Sequence, residues 1–428
     1  AWAVQFFTIS IGIGLAIAAT ALVSRAIGAR EREKARRHAT SALLITSALL
    51  IAAAAVVIVF RRPIIEVIGA EGEAAEVAVR FLAISVPSLP FVGVAMVGAS
   101  ILRAEGDAKR AMLVTMCAGV AALFLDPLLI FGLGLGVDGA AYAMVLSRMV
   151  GGAVGIFFCV RRHELLAPPS LGDVARFARP FFAIAAPAMG TQLSTPLGNL
   201  LLTWWMADYG DSAVAGWAVV SRLTVVAFGG VFALSGAIGG IIGQNYGANL
   251  PERVRSAYRD SLIFCAGYVV IVWALLALAA PWIVTGFGVS AAGASVVYAF
   301  CYVGAGGFMF NGALFVANAA FNNLGRPLWS TGFNWVRDAV ATPLALITIP
   351  ASFGETGIVY AQAAAGVLMG TVAVAAGWRL TNAIGARTAG AGWAAGPVAP
   401  VASGRAAAAV MAADRGGAAP LAKDDALD

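Results

Sequence analysis

Long apolar runs recur along this chain and constrain its fold more than any other feature. Each holds about 20 residues or more, the length that a helix needs to cross the hydrocarbon layer of a bilayer. Only 12% of the residues are charged, against about 25% in a usual soluble domain, so a soluble fold could not cover its surface. The sequence therefore predicts an all-α polytopic membrane protein. The predicted spans are 2–24, 39–60, 76–102, 110–132, 139–160, 180–206, 213–243, 259–280, 291–321, 328–350 and 356–380.

The loops between these runs alternate in charge. Lys and Arg cluster in the odd-numbered loops, whereas the even-numbered loops hold only Arg61 and Arg62, with Arg80 at the start of the next run. Cytoplasmic loops of membrane proteins are enriched in Lys and Arg. We therefore expect a multi-pass protein of the cell inner membrane with its odd loops and C-terminus in the cytoplasm. Ala1 would then lie on the outer side, which predicts a further helix before it.

Three landmarks recur in the same order at a nearly constant spacing. They are Gly28-Ala29 with Gly247-Ala248, Gly106 with Gly325, and "VDGAAYA" (137–143) with "ETGIVYA" (355–361). The offset is identical for the first two landmarks and shorter by a single position for the third, a regularity that indicates an internal duplication. We expect Gly28 and Gly247 to allow the left-handed backbone of a helix C-cap at the cytoplasmic face.

The duplication predicts the domain organisation. The second half has six runs and the first has five, so eleven of twelve helices are expected here. Because six is even, the two six-helix bundles face the same way and are related by a parallel pseudo-twofold, an arrangement in which transporters place their site between lobes. The predicted parts are a first lobe at 1–160 with five of its six helices, a lobe linker at 161–179, a second lobe at 180–380 and a disordered cytoplasmic tail at 381–428.

Five motifs resemble the multidrug and toxic compound extrusion (MATE) family. They are "ALVSRAIGAR", "LDPLLIFGLGLGVDGAAYAMVLSR", "AVAGWAVVSR", "IIGQNYGA" and "NNLGRPL". The resemblance implies two bundles in a V around a central cavity, and secondary active antiport of amphipathic or cationic organic compounds against H⁺ or Na⁺. It also implies alternating access of the two lobes. The alternative is a lipid-linked sugar flippase of the same fold superfamily.

Other function classes find less support in the sequence. No predicted span carries a histidine, and no Gly-x-Ser-x-Gly or His-Glu-x-x-His pattern is present, so we expect no enzyme. The four cysteines lie in apolar runs without metal-ligand spacing, so no metal and no cofactor are expected beyond the coupling ion. The expected partners are a small-molecule substrate, a coupling cation and the lipid bilayer, with no nucleic acid, and the protein is expected to be a monomer.

Two acidic residues within the runs are candidates for cation coupling. Asp126 precedes Pro127 near the outer end of the fourth run and either caps a broken helix or holds a proton or ion. Asp338 follows Arg337, but successive helical residues do not face each other, so we expect Asp338 to pair with a residue of another helix. The resemblance implies coupling carboxylates in the first, seventh or tenth helix. The seventh and tenth contain none here, which leaves Asp126 or the absent first helix.

Two polar stripes and two arginines complete the candidate pathway. The stripes are Gln192, Thr195 and Asn199 on the seventh helix and Asn311, Asn318 and Asn322 on the tenth. Buried amides in lipid need partners, so each stripe either bonds to other helices or lines a watery cavity. Arg148 and Arg222 are costly at their depth unless paired, and we expect structural pairing, with Asp126 or Asp338 as partners, over substrate contact.

Overall fold

The computed structural model describes residues 2–67 and 71–390. Within these ranges the regular secondary structure is helical and contains no strand. The predicted tail begins inside the last helix, and its remainder, 391–428, lies outside the described residues.

The first half consists of seven α-helices joined by short turns. They are α1 (Trp2–Gly28), α2 (Arg32–Val59), α3 (Arg61–Val67), α4 (Gly72–Ser85), α5 (Leu89–Glu105), α6 (Ala108–Pro127) and α7 (Gly136–Phe157). A 3₁₀ turn at Val86–Ser88 joins α4 to α5. Two π-helical turns, Leu128–Gly132 and Phe158–Arg162, extend α6 and α7.

The second half consists of ten α-helices. They are α8 (Leu171–Ala207), α9 (Asp211–Ala227), α10 (Gly229–Gly247), α11 (Pro251–Phe287), α12 (Ala291–Ala299), α13 (Ala305–Asn323), α14 (Pro327–Val336), α15 (Thr342–Thr348), α16 (Pro350–Phe353) and α17 (Thr356–Gly390). Two further π-helical turns, Phe300–Gly304 and Arg337–Ala341, connect α12 to α13 and α14 to α15.

Each of the eleven predicted runs coincides with a helical segment. In the described part of the chain, eight segments are long and apolar enough to span a membrane, and the pair α9–α10, bent by 46°, makes a ninth. The other two predicted runs are α8 and the α14–α16 stretch. The first carries a series of hydroxyl and amide side chains, and the second is broken into short pieces by a π-helical turn.

Two large hydrophobic cores divide the molecule into lobes, and a small third cluster lies around Ile65 and Leu82 in the first half. The first core is built around α1, α2 and α5, with Leu15 and Leu102 fully buried, and the second around α10, α11 and α13, with Tyr258 and Phe321 fully buried. The long helix α8 begins at Leu171, within the predicted linker, and contributes to both cores. It therefore connects the lobes without a break in the helix.

The backbone repeats with the spacing seen in the sequence. Gly106 and Gly325 both end a helix in the left-handed region, at φ values of 93° and 83°. Arg30 and Asn249, separated by the same offset, have φ values of 61° and 56°. Equivalent turns therefore adopt equivalent conformations, which confirms the internal duplication.

Gly28 and Gly247 lie on the same side of the molecule but are not left-handed caps. Both are helical, and the left-handed residue comes two positions later, so the C-cap prediction is wrong. A Cβ on Gly28 would collide with the carbonyl oxygen of Gln244, and a Cβ on Gly247 with that of Arg25. Glycine is needed here because α1 and α10 cross in direct backbone contact.

Candidate transport site between the lobes

The two lobes meet at what we call the closed end, formed by Arg25, Gly28, Gln244 and Gly247. Arg25 of α1 donates from Nε to the main-chain oxygen of Asn323 at 3.0 Å and from Nη2 to that of Asn322 at 3.1 Å. Gln244 of α10 donates to the main-chain oxygen of Ala104 at 2.6 Å. These bonds tie each lobe to the end of a helix in the other.

Some helices contact the other lobe and others pack within their own. In the described part of the chain, α1, α2 and α5 contact α8, α10 and α13 across the interface, whereas α4 packs on α7 and α9 packs on α12. Elements α1, α5, α10 and α13 therefore join the two lobes, while α4 and α9 pack mainly within their own lobe.

A charged pair lies inside the second lobe at the π-helical turn Arg337–Ala341. Arg337 donates from Nε to Asp338 Oδ1 at 2.8 Å and from Nη2 to Oδ2 at 2.9 Å, and the two side chains are only 9% and 13% exposed. The expectation that Asp338 pairs with another helix was thus wrong about its charged partner. The long Arg337 side chain folds back onto its neighbour where the helix is widened.

Two neighbouring helices supply further hydrogen bonds and space to the Arg337–Asp338 pair. Ser194 of α8 donates to Asp338 Oδ2, and Gly198, one turn further along α8, leaves room for the carboxylate. Asn311 of α13 accepts from Arg337 Nη1 at 3.2 Å. Sequence reasoning identified Asn311 and Asp338 but missed Ser194, although the spacing of Thr191, Ser194 and Gly198 marks a stripe of small residues suited to close packing.

The remaining tenth-helix amides hold the second lobe together. Asn318 and Asn322 are almost fully buried. Asn318 Oδ1 accepts from Asn334 Nδ2 at 3.1 Å, and Asn322 Oδ1 accepts from Ser330 Oγ at 3.2 Å. Of the two interpretations of this stripe, the geometry matches interhelical hydrogen bonding.

The α8 stripe is placed differently. Gln192 is half-buried, while Thr195 and Asn199 are exposed. Within the described residues, none of the three side chains has a hydrogen-bond partner. The interhelical bonds expected under one interpretation of this stripe are therefore not formed by these side chains among the described residues, and cavity lining stays a prediction.

Asp126 lies on the α6 face that also carries Ala118 and Ala122. It is half-buried and forms no hydrogen bond or ion pair with any described residue. The helix continues through Pro127 into the π-helical turn Leu128–Gly132, and Asp126 caps no helix end.

Neither arginine forms the predicted acidic pair. Arg148 donates from Nη1 to Ser88 Oγ at 3.0 Å, at the 3₁₀ turn between α4 and α5. Arg222 is exposed and has no partner among the described residues. Of the two acids considered for them, Asp338 is held by Arg337, and Asp126 has no partner in the part of the chain that the structure describes.

A second polar cluster lies outside the spans, at the N-terminus of α6. Asp107 accepts from the backbone N–H of Arg110 at 3.0 Å, from His163 Nε2 at 2.9 Å and from the Arg110 guanidinium. Burial opposes ionisation of the carboxyl, but these donors outweigh it and lower the pKa of Asp107. The cluster joins the α5–α6 turn to the end of α7.

The described residues contain no group of three or more His, Cys, Asp or Glu side chains able to hold a metal ion. The polar groups instead lie at helix crossings, on the α8 stripe and at the closed end. A helical membrane protein with two equivalent lobes, reciprocal contacts between them and polar groups within the membrane-spanning region has the build of a transporter.

Comparison with known proteins identifies the family. The MatE family model matches residues 1–128 and 187–347, and the chain belongs to this family of membrane transporters. This confirms the MATE resemblance, and with it the all-α, two-bundle fold and the expectation of a transporter in place of an enzyme.

The relatives named next share 23–28% sequence identity with this chain. The FAD transporter of Shewanella oneidensis is 28% identical over 275 residues, a match that covers 63% of this chain and 61% of that protein, less than two thirds of its length. The multidrug export protein MepA of Staphylococcus aureus is 23% identical over 363 residues, covering 83% of this chain and 79% of that protein. The crystal structure of the Vibrio cholerae MATE transporter VcmN in its bent form superposes with a TM-score of 0.84 at 23% identity, covering 90% of this chain and 88% of that one.

Proposed function

We propose that the protein exports amphipathic or cationic organic compounds across the cell inner membrane in exchange for H⁺ or Na⁺. The two lobes alternate between states open to either side, and the closed end faces the cytoplasm, as the Lys and Arg distribution predicts. The transporting unit is a monomer, with lobes at 1–160 and 180–380 and a cytoplasmic C-terminus.

The reciprocal contact of α1 with α10 is the observation that carries this proposal. Each lobe places a glycine against the other's backbone and a hydrogen-bond donor against the other's helix end. Such contacts separate when two rigid lobes rock, because each contact joins residues of different lobes. Alternating access needs a gate of this kind at each end in turn.

The coupling ion requires a group whose charge state differs between the two conformations. Asp126 is the better candidate, because it has no ion-pair or hydrogen-bond partner among the described residues. Asp338 is already held by Arg337 and Ser194, so we assign that pair to the structure of the second lobe. Two α8 amides, the half-buried Gln192 and the exposed Asn199, are proposed to contact the transported compound from the second-lobe side of the cleft.

A relative's name supports a second candidate substrate. The Shewanella oneidensis protein is named an FAD transporter and is 28% identical to this chain, compared with 23% for MepA. Export of a nucleotide-like compound by the same alternating mechanism is therefore our second proposal.

Reconstitution into proteoliposomes tests the function. Efflux of a cationic dye and of FAD is measured under an imposed pH gradient and, separately, under a sodium gradient, with an Asp126→Asn variant in parallel. We expect one gradient to drive efflux and the variant to uncouple it while retaining the helical content of the wild type. A wild-type protein that responds to neither gradient refutes cation-coupled export.

A further inference from the structure

We infer that Arg103 binds an anionic group, a carboxylate or phosphate, of the transported compound at the closed floor of the inter-lobe cleft. The inference rests on the proposed function and, among its candidate substrates, favours an amphipathic or nucleotide-like compound that carries an anionic group. In the sequence, Arg103 directly follows the predicted span 76–102 and so falls in the third loop, among the cations that orient the protein.

Arg103 lies at the interface between the two lobes. It lies near the end of α5 in the first lobe, where its main-chain oxygen faces Gly240 of α10 in the second. Its guanidinium lies against Gly236, with Nε and Cζ 3.7 and 4.0 Å from the position a Cβ there would take. Gly236 is one helical turn further from the closed end than Gly240, so the side chain extends from the contact toward the cleft.

The order of contacts along α10 gives the depth of this guanidinium. Gly247 meets Arg25, Gly243 meets Ser24, and Gly240 meets the Arg103 backbone. The Arg103 guanidinium is the next group in this series. It therefore lies directly above the layers that seal the two lobes together.

Among the described residues, no protein group neutralises this charge. Arg103 Nε is buried without a hydrogen-bond partner, and no carboxylate of the described residues lies within salt-bridge distance. The terminal nitrogens are not among the fully buried unpaired atoms, and the residue as a whole is only half-buried. The Nε of the guanidinium is thus enclosed by protein, whereas its terminal nitrogens are accessible.

Two other arginines, Arg25 and Arg337, have partners within the protein. Arg25, at the first layer of this series, donates to two main-chain oxygens, and Arg337 is paired with Asp338. A cation in a low-dielectric region is costly without such partners. A ligand supplying negative charge would remove that cost for Arg103.

The repeat shows that closing the lobes does not require a cation here. The position equivalent to Arg103 in the second half is Asn322, which is neutral and bonded to Ser330. The first lobe therefore carries a charge where the second carries a satisfied amide. Because a guanidinium presents paired N–H donors that match the oxygens of carboxylates and phosphates, this asymmetry suits an anionic ligand.

Equilibrium binding tests the inference directly. Fluorescein, an anion, and rhodamine 123, a cation on a similar ring system, are titrated into the purified protein in detergent and followed by fluorescence polarisation. The variants are Arg103→Gln, Arg103→Lys and, as a control, Arg253→Gln, which removes an exposed arginine of α11. Melting temperatures of all four proteins are measured to establish that they are folded.

We expect Arg103→Gln to weaken fluorescein binding by about tenfold or more, the effect of losing one charge-assisted hydrogen bond. Rhodamine 123 binding should not weaken, Arg103→Lys should retain part of the fluorescein affinity, and Arg253→Gln should match the wild type. Fluorescein affinity unchanged in both Arg103 variants overturns the inference, as does an equal loss for both dyes.

A transport measurement separates this inference from the proposed function. If rhodamine 123 efflux responds to a cation gradient in every variant while Arg103→Gln binds fluorescein as the wild type does, the exporter proposal stands and the anion site is refuted. If no dye moves in the wild type, the exporter proposal fails and the binding titration alone still decides the role of Arg103.

Discussion

Arg25 and Gln244 occupy equivalent positions of the repeat, and each donates a hydrogen bond to the opposite lobe. Their acceptors, the main-chain oxygens of Asn323 and Ala104, belong to residues that are also equivalent in the repeat. The closed end is therefore a pair of pseudo-symmetric contacts, the internal counterpart of an isologous dimer interface.

Substituting the crossing glycines should open the closed end. A methyl group in Gly28→Ala or Gly247→Ala collides with a backbone oxygen of the other lobe, and backbone cannot rotate aside as a side chain can. We expect electron–electron double resonance between spin labels on the two lobes to report longer distances across the closed end. Gly267→Ala, where nothing lies within 4 Å of the added carbon, is the control and should leave the distances unchanged.

Removing Arg337 should destabilise the second lobe strongly. Arg337→Gln leaves Asp338 buried and without its cation, a change that costs about 3–5 kcal/mol in comparable buried pairs. The double variant Arg337→Gln, Asp338→Asn removes both charges and should recover much of the loss. Thermal unfolding in detergent measures both, and a double variant no more stable than the single one would contradict the pairing.

The two amide stripes should respond differently to truncation. Asn318→Ala removes a buried acceptor of Asn334 and should destabilise the protein by about 1 kcal/mol. Asn199→Ala removes an exposed side chain that has no partner among the described residues, and it should change stability by less than about 0.5 kcal/mol. If Asn199 contacts the transported compound, the same variant raises the substrate concentration needed for half-maximal transport.

Asp107 should make stability depend on acid pH. The pKa of Asp107 is lower in the folded protein than its usual value of about 3.9. The contribution of its carboxylate to folding stability is therefore fully present above that value. The contribution is lost as the pH falls through the lower pKa of the folded state. Melting temperatures of the wild type and Asp107→Asn, measured from neutral pH downward, should differ most at neutral pH and converge in acid. A difference that grows with acidification would refute the assignment.

Local properties of the sequence were enough to predict much of this architecture. Apolar runs predicted the helical segments, because helix length and hydropathy are set by residues adjacent in the chain. The spacing of Gly106 and Gly325 predicted a duplication, and their left-handed backbones confirm it. The family motifs predicted the transporter class that the MatE match confirms.

Candidate site residues were harder to interpret. Periodicity correctly placed Asn318 and Asn322 on one face of a helix, but it could not show that α14 supplies their partners. It also favoured distant partners for Asp338, whereas a widened turn lets Arg337 reach it. Both outcomes depend on local backbone geometry and on helices that are far apart in the chain.

The sequence by itself determined that this chain is a membrane-embedded, two-lobed helical protein built from a parallel repeat. Only the tertiary structure decided that Gly28 permits a helix crossing and does not form a helix cap. It alone also showed that Arg103 lies between the lobes and not in a loop. The physical reason is that hydropathy and spacing describe each helix separately. A close approach, or the absence of a counter-charge, is a property of residues brought together from opposite halves of the chain.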